Sequence, residues 1–223
     1  MQFYHRRMIT LHYLPGSASL APHILLNEIG VPFELQMVQR DNNAHKSPAY
    51  LALNPNGLIP VLVDGDLVLY ETVALGLHLA DTHPAAGLLP ALGTPARAHA
   101  YKWLVWLTNT LQATLIHYFY PDRMVDAGNA AGKEQVKAHA QARAGECLTQ
   151  IDTQLAAHGG PWLLGADYSA VDAYAFMLCR WTRNFSTKPA REYPHIAPYL
   201  QRMLARPAVQ RTFQTEGLQW PLV

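Results

Sequence analysis

The sequence predicts a small α/β domain followed by an all-helical domain. Three observations predict it. Short alternating or β-branched runs fall within the first seventy residues. A stretch punctuated by Pro and Gly follows at residues 83–95. Beyond it strand signals vanish, and apolar residues recur at helical spacing. The expected order in the first domain is β-α-β-α-β-β-α over residues 8–84, with a linker at 85–95 and helices over 96–223.

Ile9, Leu11 and Tyr13 alternate with Thr10 and His12, the pattern of a half-buried strand. Leu14-Pro15-Gly16 breaks it, and Ser17-Ala18-Ser19 opens a helix to about residue 29. Pro22 is tolerated in a first turn, and Gly30 is a helix-stop residue. Phe33, Leu35 and Met37 alternate again, which makes a βαβ unit with a parallel pair. Residues 40–47 read as a polar loop and 48–53 as a short helix or turn.

Residues 54–72 carry the densest local signal. Asn54-Pro55 and Asn56-Gly57 are turn dipeptides. Val61 to Val63 and Leu67 to Leu69 are short strand runs. Asp64-Gly65 between them suggests a type I′ hairpin, which requires φ > 0 at both central residues. Pro60 fits a strand's first residue, and a cis Ile59–Pro60 bond would suit a tight turn there. The backbone of Ile59 is then expected to pair with an extended, peptide-like ligand. Glu71-Thr72 falls at the start of the next helix, where N–H groups and a hydroxyl converge.

In the second domain, residues 96–116 read as one long helix carrying Tyr101, Trp103, Trp106 and Leu107. Residues 133–157 read as another. Ser169-Ala170-Val171-Asp172 is a capping box with Asp for Glu, opening a helix through Trp181. Residues 193–204 form a further helix, and Pro207 restarts one toward Glu216.

Composition narrows the function classes. Half of the 223 residues are hydrophobic and 15% are charged, as in a globular protein with a full core. A net charge of +1 gives no bulk field for nucleic acid or a membrane surface. No apolar run approaches the ~18 residues of a membrane span. Residues 1–7 lack an apolar signal region, and Met8 is a second candidate start that would leave them as a disordered extension. Cys147 and Cys179 are distant and form no CxxC, which favours a reducing compartment over disulfides or structural zinc. The 11 histidines show no metal-ligand spacing, so no metal is expected.

Several motifs in this order carry a resemblance. They are Tyr13-Leu14-Pro15-Gly16-Ser17-Ala18-Ser19-Leu20-Ala21-Pro22-His23, Asn54-Pro55-Asn56-Gly57-Leu58-Ile59-Pro60-Val61-Leu62 and Glu71-Thr72. Ser169-Ala170-Val171-Asp172-Ala173-Tyr174 and Arg206-Pro207-Ala208-Val209-Gln210 join them. The chain resembles the cytosolic glutathione transferases, and among them the bacterial Beta class. The resemblance implies a thioredoxin-like N-terminal domain, a helical-bundle C-terminal domain and a glutathione site between them. It implies a cytoplasmic homodimer that uses glutathione as cosubstrate for detoxification, with no nucleic-acid or membrane partner.

Residue by residue, the resemblance implies that Ile59, before Pro60, pairs with the cysteinyl part of glutathione, while Glu71 and Thr72 hold its γ-glutamyl end. The Beta class carries a cysteine where this chain has Ala18, so mixed-disulfide chemistry through a protein thiol is not expected. Ser19, Ser17 and Tyr13 remain as candidate catalytic donors to the glutathione sulfur. Ser17 and Ser19 could equally cap the helix, and a tyrosine placed like Tyr13 is more often a core or wall residue. Where the family has a histidine on the first long helix, this chain has Gln112, and Asn109 and Gln112 could offer neutral hydrogen bonds. His117 lies too far along to substitute. Tyr118 and Trp181 are candidate walls of an apolar electrophile pocket, with a core role for Trp181 as the alternative. Cys179 is expected to be buried and inert.

The expected activity is transfer of an alkyl or aryl group to the glutathione sulfur by thiolate attack on a hydrophobic electrophile. The alternatives are a glutathione or apolar-ligand binding protein with little turnover, and a glutathione-dependent peroxidase or isomerase.

Overall fold

The structure, a computed structural model, describes residues 8–223. The segment expected as an N-terminal extension lies outside them. The chain divides into two compact units, and the first contains residues up to Leu88 together with Arg206–Leu218.

The first unit is built on a four-stranded mixed sheet. Strand β1 (Ile9–Tyr13) runs parallel to β2 (Phe33–Met37), with Leu11 opposite Leu35. On its other side β1 pairs antiparallel with β3 (Val61–Asp64), with Leu11 opposite Leu62, and β3 pairs antiparallel with β4 (Leu67–Tyr70). The spatial order is β2-β1-β3-β4. Parallel β1 and β2 need a crossover, and helix α1 (Leu20–Ile29) supplies it. Gly30, at φ 74°, ends α1 in the left-handed conformation that favours glycine. A short helix α2 (Pro48–Leu53) is capped by Ser47, whose side chain accepts from Tyr50 N–H. Helix α3 (Thr72–Thr82) follows β4 directly. The order β-α-β-α-β-β-α therefore stands as expected. Leu11, Leu20, Ile24, Leu62, Leu75 and Leu79 are fully buried in this unit, and truncating any one costs about 2–5 kcal/mol.

The hairpin differs from its expected type. Its two loop residues are Gly65 and Asp66, since Asp64 pairs with Leu67. Only Gly65 has a positive φ, 62°, so the double requirement of a type I′ turn is not met.

The second unit, Leu89–Ala205 with Gln219–Val223, is helical. Helix α4 (Pro95–Trp106) is capped by Thr94. It continues through a π-helical segment, Leu107–Gln112, into α5 (Ala113–Phe119). The single helix expected over 96–116 is thus interrupted at its centre, where Thr108 Oγ1 donates to the Leu104 carbonyl at 2.9 Å. Helix α6 (Ala130–His158) is capped by Asn129. Helix α7 (Ala170–Trp181) carries the expected capping box between Ser169 and Asp172, and Ala170 through Arg180 are all buried. Helix α8 (Ile196–Leu204) begins three residues later than expected. Its first orphan donors are met from α6, where Asp152 Oδ1 accepts from His195 N–H at 2.8 Å and Ile196 N–H at 3.0 Å.

Helix α9 (Pro207–Glu216) returns to the first unit, whereas the sequence order groups it with the helical domain. Val209, Thr212, Phe213 and Glu216 are buried at helical spacing, and this face meets α1. Arg206 binds Glu28 through two hydrogen bonds, of 2.6 and 3.0 Å. Thr212 Oγ1 accepts from Asn27 Nδ2 at 2.9 Å. Among the described residues, no helix is long and apolar enough to cross a membrane, and no cluster of His, Cys, Asp and Glu could hold a metal ion.

Candidate active site

The turn at residues 54–57 is fixed by its own polar groups. Asn54 is buried; its Oδ1 accepts from Asn56 N–H, and its Nδ2 donates to the Leu58 carbonyl at 2.8 Å. Tyr50 Oη donates to the same carbonyl at 2.8 Å, and burial pushes its phenol up to about 12. Gly57 has φ 60°, and a Cβ there would lie 2.8 Å from the His45 carbonyl oxygen, so only glycine fits. These bonds occupy the Leu58 carbonyl and deliver Ile59 next to the sheet. The Ile59–Pro60 bond is cis. The ladder begins at Val61 opposite Tyr70, which leaves Ile59 just outside it.

At the other end of the hairpin, Glu71 is exposed and has φ 76° and ψ 112°. A non-glycine residue in that region is strained by about 1–3 kcal/mol, and such strain concentrates at functional sites. Glu71 thereby presents its carboxylate at the N-terminus of α3. Thr72 is 9% exposed, and its Oγ1 donates to the Ala18 carbonyl at 3.3 Å.

The loop between β1 and α1 redistributes the hydroxyl roles expected from sequence. Ser19 is fully buried. Its Oγ donates to the Leu14 carbonyl at 3.0 Å and accepts from Leu14 N–H at 3.1 Å. It sits at the N-cap of α1 but makes no side-chain cap. Ser19 therefore staples the loop, and its proton is committed to Leu14. Ser17 is half-buried, and its Oγ lies 3.0 Å from Ser19 Oγ. Ala18 is partly exposed between them. Tyr13 is half-buried; burial, and then the nearby Glu216 carboxylate, push its phenol up, so it stays a protonated donor at neutral pH.

Sequence reasoning misses the closure behind this loop. Glu216, at the end of α9, accepts from Gly16 N–H at 2.7 Å through Oε2. Its Oε1 lies 2.7 Å from His23 Nδ1, and both side chains are buried, at 0% and 1% exposure. In the sequence His23 is one more scattered histidine. The only available signal is its place on the buried face of α1.

In the helical unit, Asn109 and Gln112 both lie on the π-helical segment, and π-segments recur at functional positions. Asn109 is exposed. Gln112 Oε1 accepts from the hydroxyl of buried Tyr174, which orients the amide so that Nε2 carries its outward donors. Tyr118 packs on Phe185 with ring centroids 4.5 Å apart and on Phe119 at 5.1 Å. Phe119 meets Trp181 edge to face at 6.2 Å. Tyr118 and Trp181 thus belong to one aromatic cluster, with Phe119 43% exposed at its edge. Cys179 is buried, and burial pushes its thiol up to about 12.

This fold, with a strained acidic residue at a helix start and hydroxyls at a strand–helix junction, defines a thioredoxin-like unit followed by a helical unit. The family models for the N-terminal and C-terminal domains of glutathione S-transferases match residues 7–81 and 107–207. The glutathione S-transferase GST-4.5 of Xanthomonas campestris pv. campestris is 32% identical over 93% of this chain and 98% of its own length. GstA of Escherichia coli O157:H7 is 32% identical over 94% of this chain and 99% of its own length. A glutathione transferase homologue from Sulfitobacter with bound glutathione superposes with a TM-score of 0.85 at 29% identity, covering 95% of this chain and 99% of that one. The chain belongs to the glutathione S-transferase family and is a glutathione transferase.

Proposed function

We propose that this protein binds glutathione along Ile59 and the start of α3 and transfers its thiolate to a hydrophobic electrophile. The observation that carries the reading is the Glu71–Thr72 corner, a strained acidic residue beside the α3 N-terminus. Glu71 suits the ammonium group of the γ-glutamyl end, and the helix N-terminus suits its carboxylate. The Ile59 backbone, with Pro60 behind it, suits the cysteinyl amide. Solved relatives from Sulfitobacter and from a sphingomonad are described with glutathione bound, at TM-scores of 0.85 and 0.81.

A free thiol with a pKa of about 8.5 is a minor thiolate at pH 7. In this reading the Ser17 hydroxyl exchanges its bond to Ser19 Oγ for one to the sulfur, Ser19 holds the loop behind it, and Tyr13 is the second donor. Within the helical unit, Asn109 and Gln112 carry neutral hydrogen-bonding groups, and Tyr118 and Trp181 offer apolar surface suited to a hydrophobic electrophile. The protein is cytoplasmic and homodimeric in this reading. Exposed Leu67 and Val68 on β4, and Tyr101 and Val105 on α4, supply apolar surface for a second copy.

Calorimetry with glutathione and turnover of a chloro-nitroaromatic substrate test the reading. Saturable binding with turnover supports it. Absence of binding at millimolar glutathione overturns it. Binding without turnover favours the second reading, a glutathione-holding protein, which Ala18 in place of the class cysteine supports. Light scattering near twice the 24.8 kDa chain mass tests the dimer.

A further inference from the structure

We propose that Glu216 is a positioning residue for the sulfur-facing loop, fixing Gly16 and through it the aim of Ser17. This rests on the reading that Ser17 meets the glutathione sulfur.

Three side chains hold the backbone of the loop at residues 14–19 at separate points. Ser19 ties it to Leu14, Thr72 reaches the Ala18 carbonyl, and Glu216 takes Gly16 N–H. Only the Glu216 tie comes from α9, 200 residues further along the chain. Gly16 has φ 68°, a left-handed turn that glycine takes without strain, and the Glu216 carboxylate accepts from its N–H in that conformation. The Glu216 carboxylate bridges that N–H and the His23 ring, which lies in the first turn of α1. One buried group thus braces the loop against the helix it opens.

A carboxylate with no exposed surface is costly, and the helix does not need it for docking. Arg206 on Glu28, Thr212 on Asn27 and buried Val209 and Phe213 already seat α9 on α1. What Glu216 adds is geometry at Gly16, through a charge-assisted bond of 2.7 Å. The titratable groups around it are Tyr13 on β1 and His23 on α1. The C-terminal helix is thereby part of the catalytic half of the site rather than an appendage of the helical unit.

The test compares the full-length parent with Glu216→Leu, Glu216→Asp, Glu216→Gln and Thr212→Ala. Four readouts are needed: the melting temperature, the glutathione Kd, kcat and the pH titration of the bound thiolate by ultraviolet absorbance. Glu216→Leu is expected to lower kcat about tenfold and to move the thiolate midpoint upward, with Kd changed less than about threefold. Glu216→Asp, too short to reach both partners, shifts the midpoint in the same direction and keeps the test alive if the leucine variant does not fold. Glu216→Gln retains most activity, because its amide oxygen still accepts from Gly16 and its NH2 still meets His23. Thr212→Ala lowers the melting temperature and leaves the midpoint where it was. An unchanged midpoint and kcat in folded Glu216→Leu and Glu216→Asp overturn the proposal, as does an equal shift in Thr212→Ala. A parent that binds no glutathione overturns instead the function on which the proposal rests.

Discussion

Thr72 Oγ1 donates to the Ala18 carbonyl at 3.3 Å, so the start of α3 and the loop ahead of α1 are tied to each other. One side of that tie recognises the γ-glutamyl end of the ligand in our reading, and the other carries Ser17. Thr72→Val keeps the shape and removes the donor. It is expected to weaken glutathione binding by about 1 kcal/mol, near fivefold in Kd, and to lower kcat as well. Calorimetry and steady-state turnover check this. A change in Kd alone would mean the tie does not couple the two halves.

Glu71 holds a positive φ that glycine adopts without cost. Glu71→Gly therefore relieves backbone strain and removes the carboxylate together. Strain relief of about 1–3 kcal/mol against about 0.5–1 kcal/mol of added chain entropy leaves a net stabilisation near 1 kcal/mol. The expected result is a higher denaturation midpoint with glutathione affinity at least tenfold lower. Glu71→Gln should lose affinity without the gain in stability, which separates charge from strain.

Ser17 and Ser19 are separable by the same logic. Ser19→Ala strips partners from Leu14 N–H and C=O and is expected to destabilise by about 1–3 kcal/mol. Ser17→Ala touches two bonds, to Ser19 Oγ at 3.0 Å and to Ser19 N–H at 3.3 Å, but strips no partner from the backbone of Leu14, so it should lower the melting temperature less than Ser19→Ala while lowering kcat. Thermal denaturation alongside chloro-nitroaromatic turnover reads both. A Ser19 variant of full stability and low kcat would reverse the two roles.

Legibility follows the range of the interactions. Local signals mark β1 to β4, α1 to α3 and the Ser169–Asp172 capping box, because each lies within a few residues of chain. The type of the Gly65 hairpin escapes the sequence because Asp66, not Asp64, is the second loop residue. Periodicity does not reveal the π-helical break at Leu107–Gln112, a segment whose Thr108 and Gln112 meet Tyr174 from another helix. Nor does it place α9, whose apolar face fits any partner until Glu28, Asn27 and His23 are known to face it. Ser19 stands out in the sequence for its helix-start position, but its burial against Leu14 is a property of the folded loop.

Asp172 is the most heavily used buried carboxylate in the helical unit. Its oxygens accept from Leu163 N–H and Ser169 N–H, both at 2.9 Å, and from Ser169 Oγ at 3.1 Å. Asp172→Ala leaves two buried backbone donors unpaired, Ser169 N–H at the N-cap of α7 and Leu163 N–H in the segment before it. The expected loss is about 3–5 kcal/mol, enough to unfold many domains of this size near body temperature. Asp172→Asn, which still accepts at one oxygen, should lose less. Urea denaturation followed by circular dichroism measures the difference.

Both native thiols are silenced by burial, which makes Ala18 a clean place to test an introduced cysteine. Cys147 is 2% exposed and Cys179 1%, and burial raises both thiols, the second to about 12. In the raised direction a thiol stays protonated and unreactive until pH climbs toward its folded value. The native parent should therefore resist a thiol reagent at pH 7 and react at both cysteines only when unfolded. Ala18→Cys places a partly exposed thiol at the N-terminus of α1, where the helix dipole and nearby N–H groups favour thiolate. One rapidly reacting thiol should appear, and oxidised glutathione should form a mixed disulfide with it, a thiolate attacking one sulfur and releasing the other as glutathione. Mass spectrometry reads the adduct. Slow labelling of the Ala18→Cys variant would show that the loop does not activate a thiol at this position.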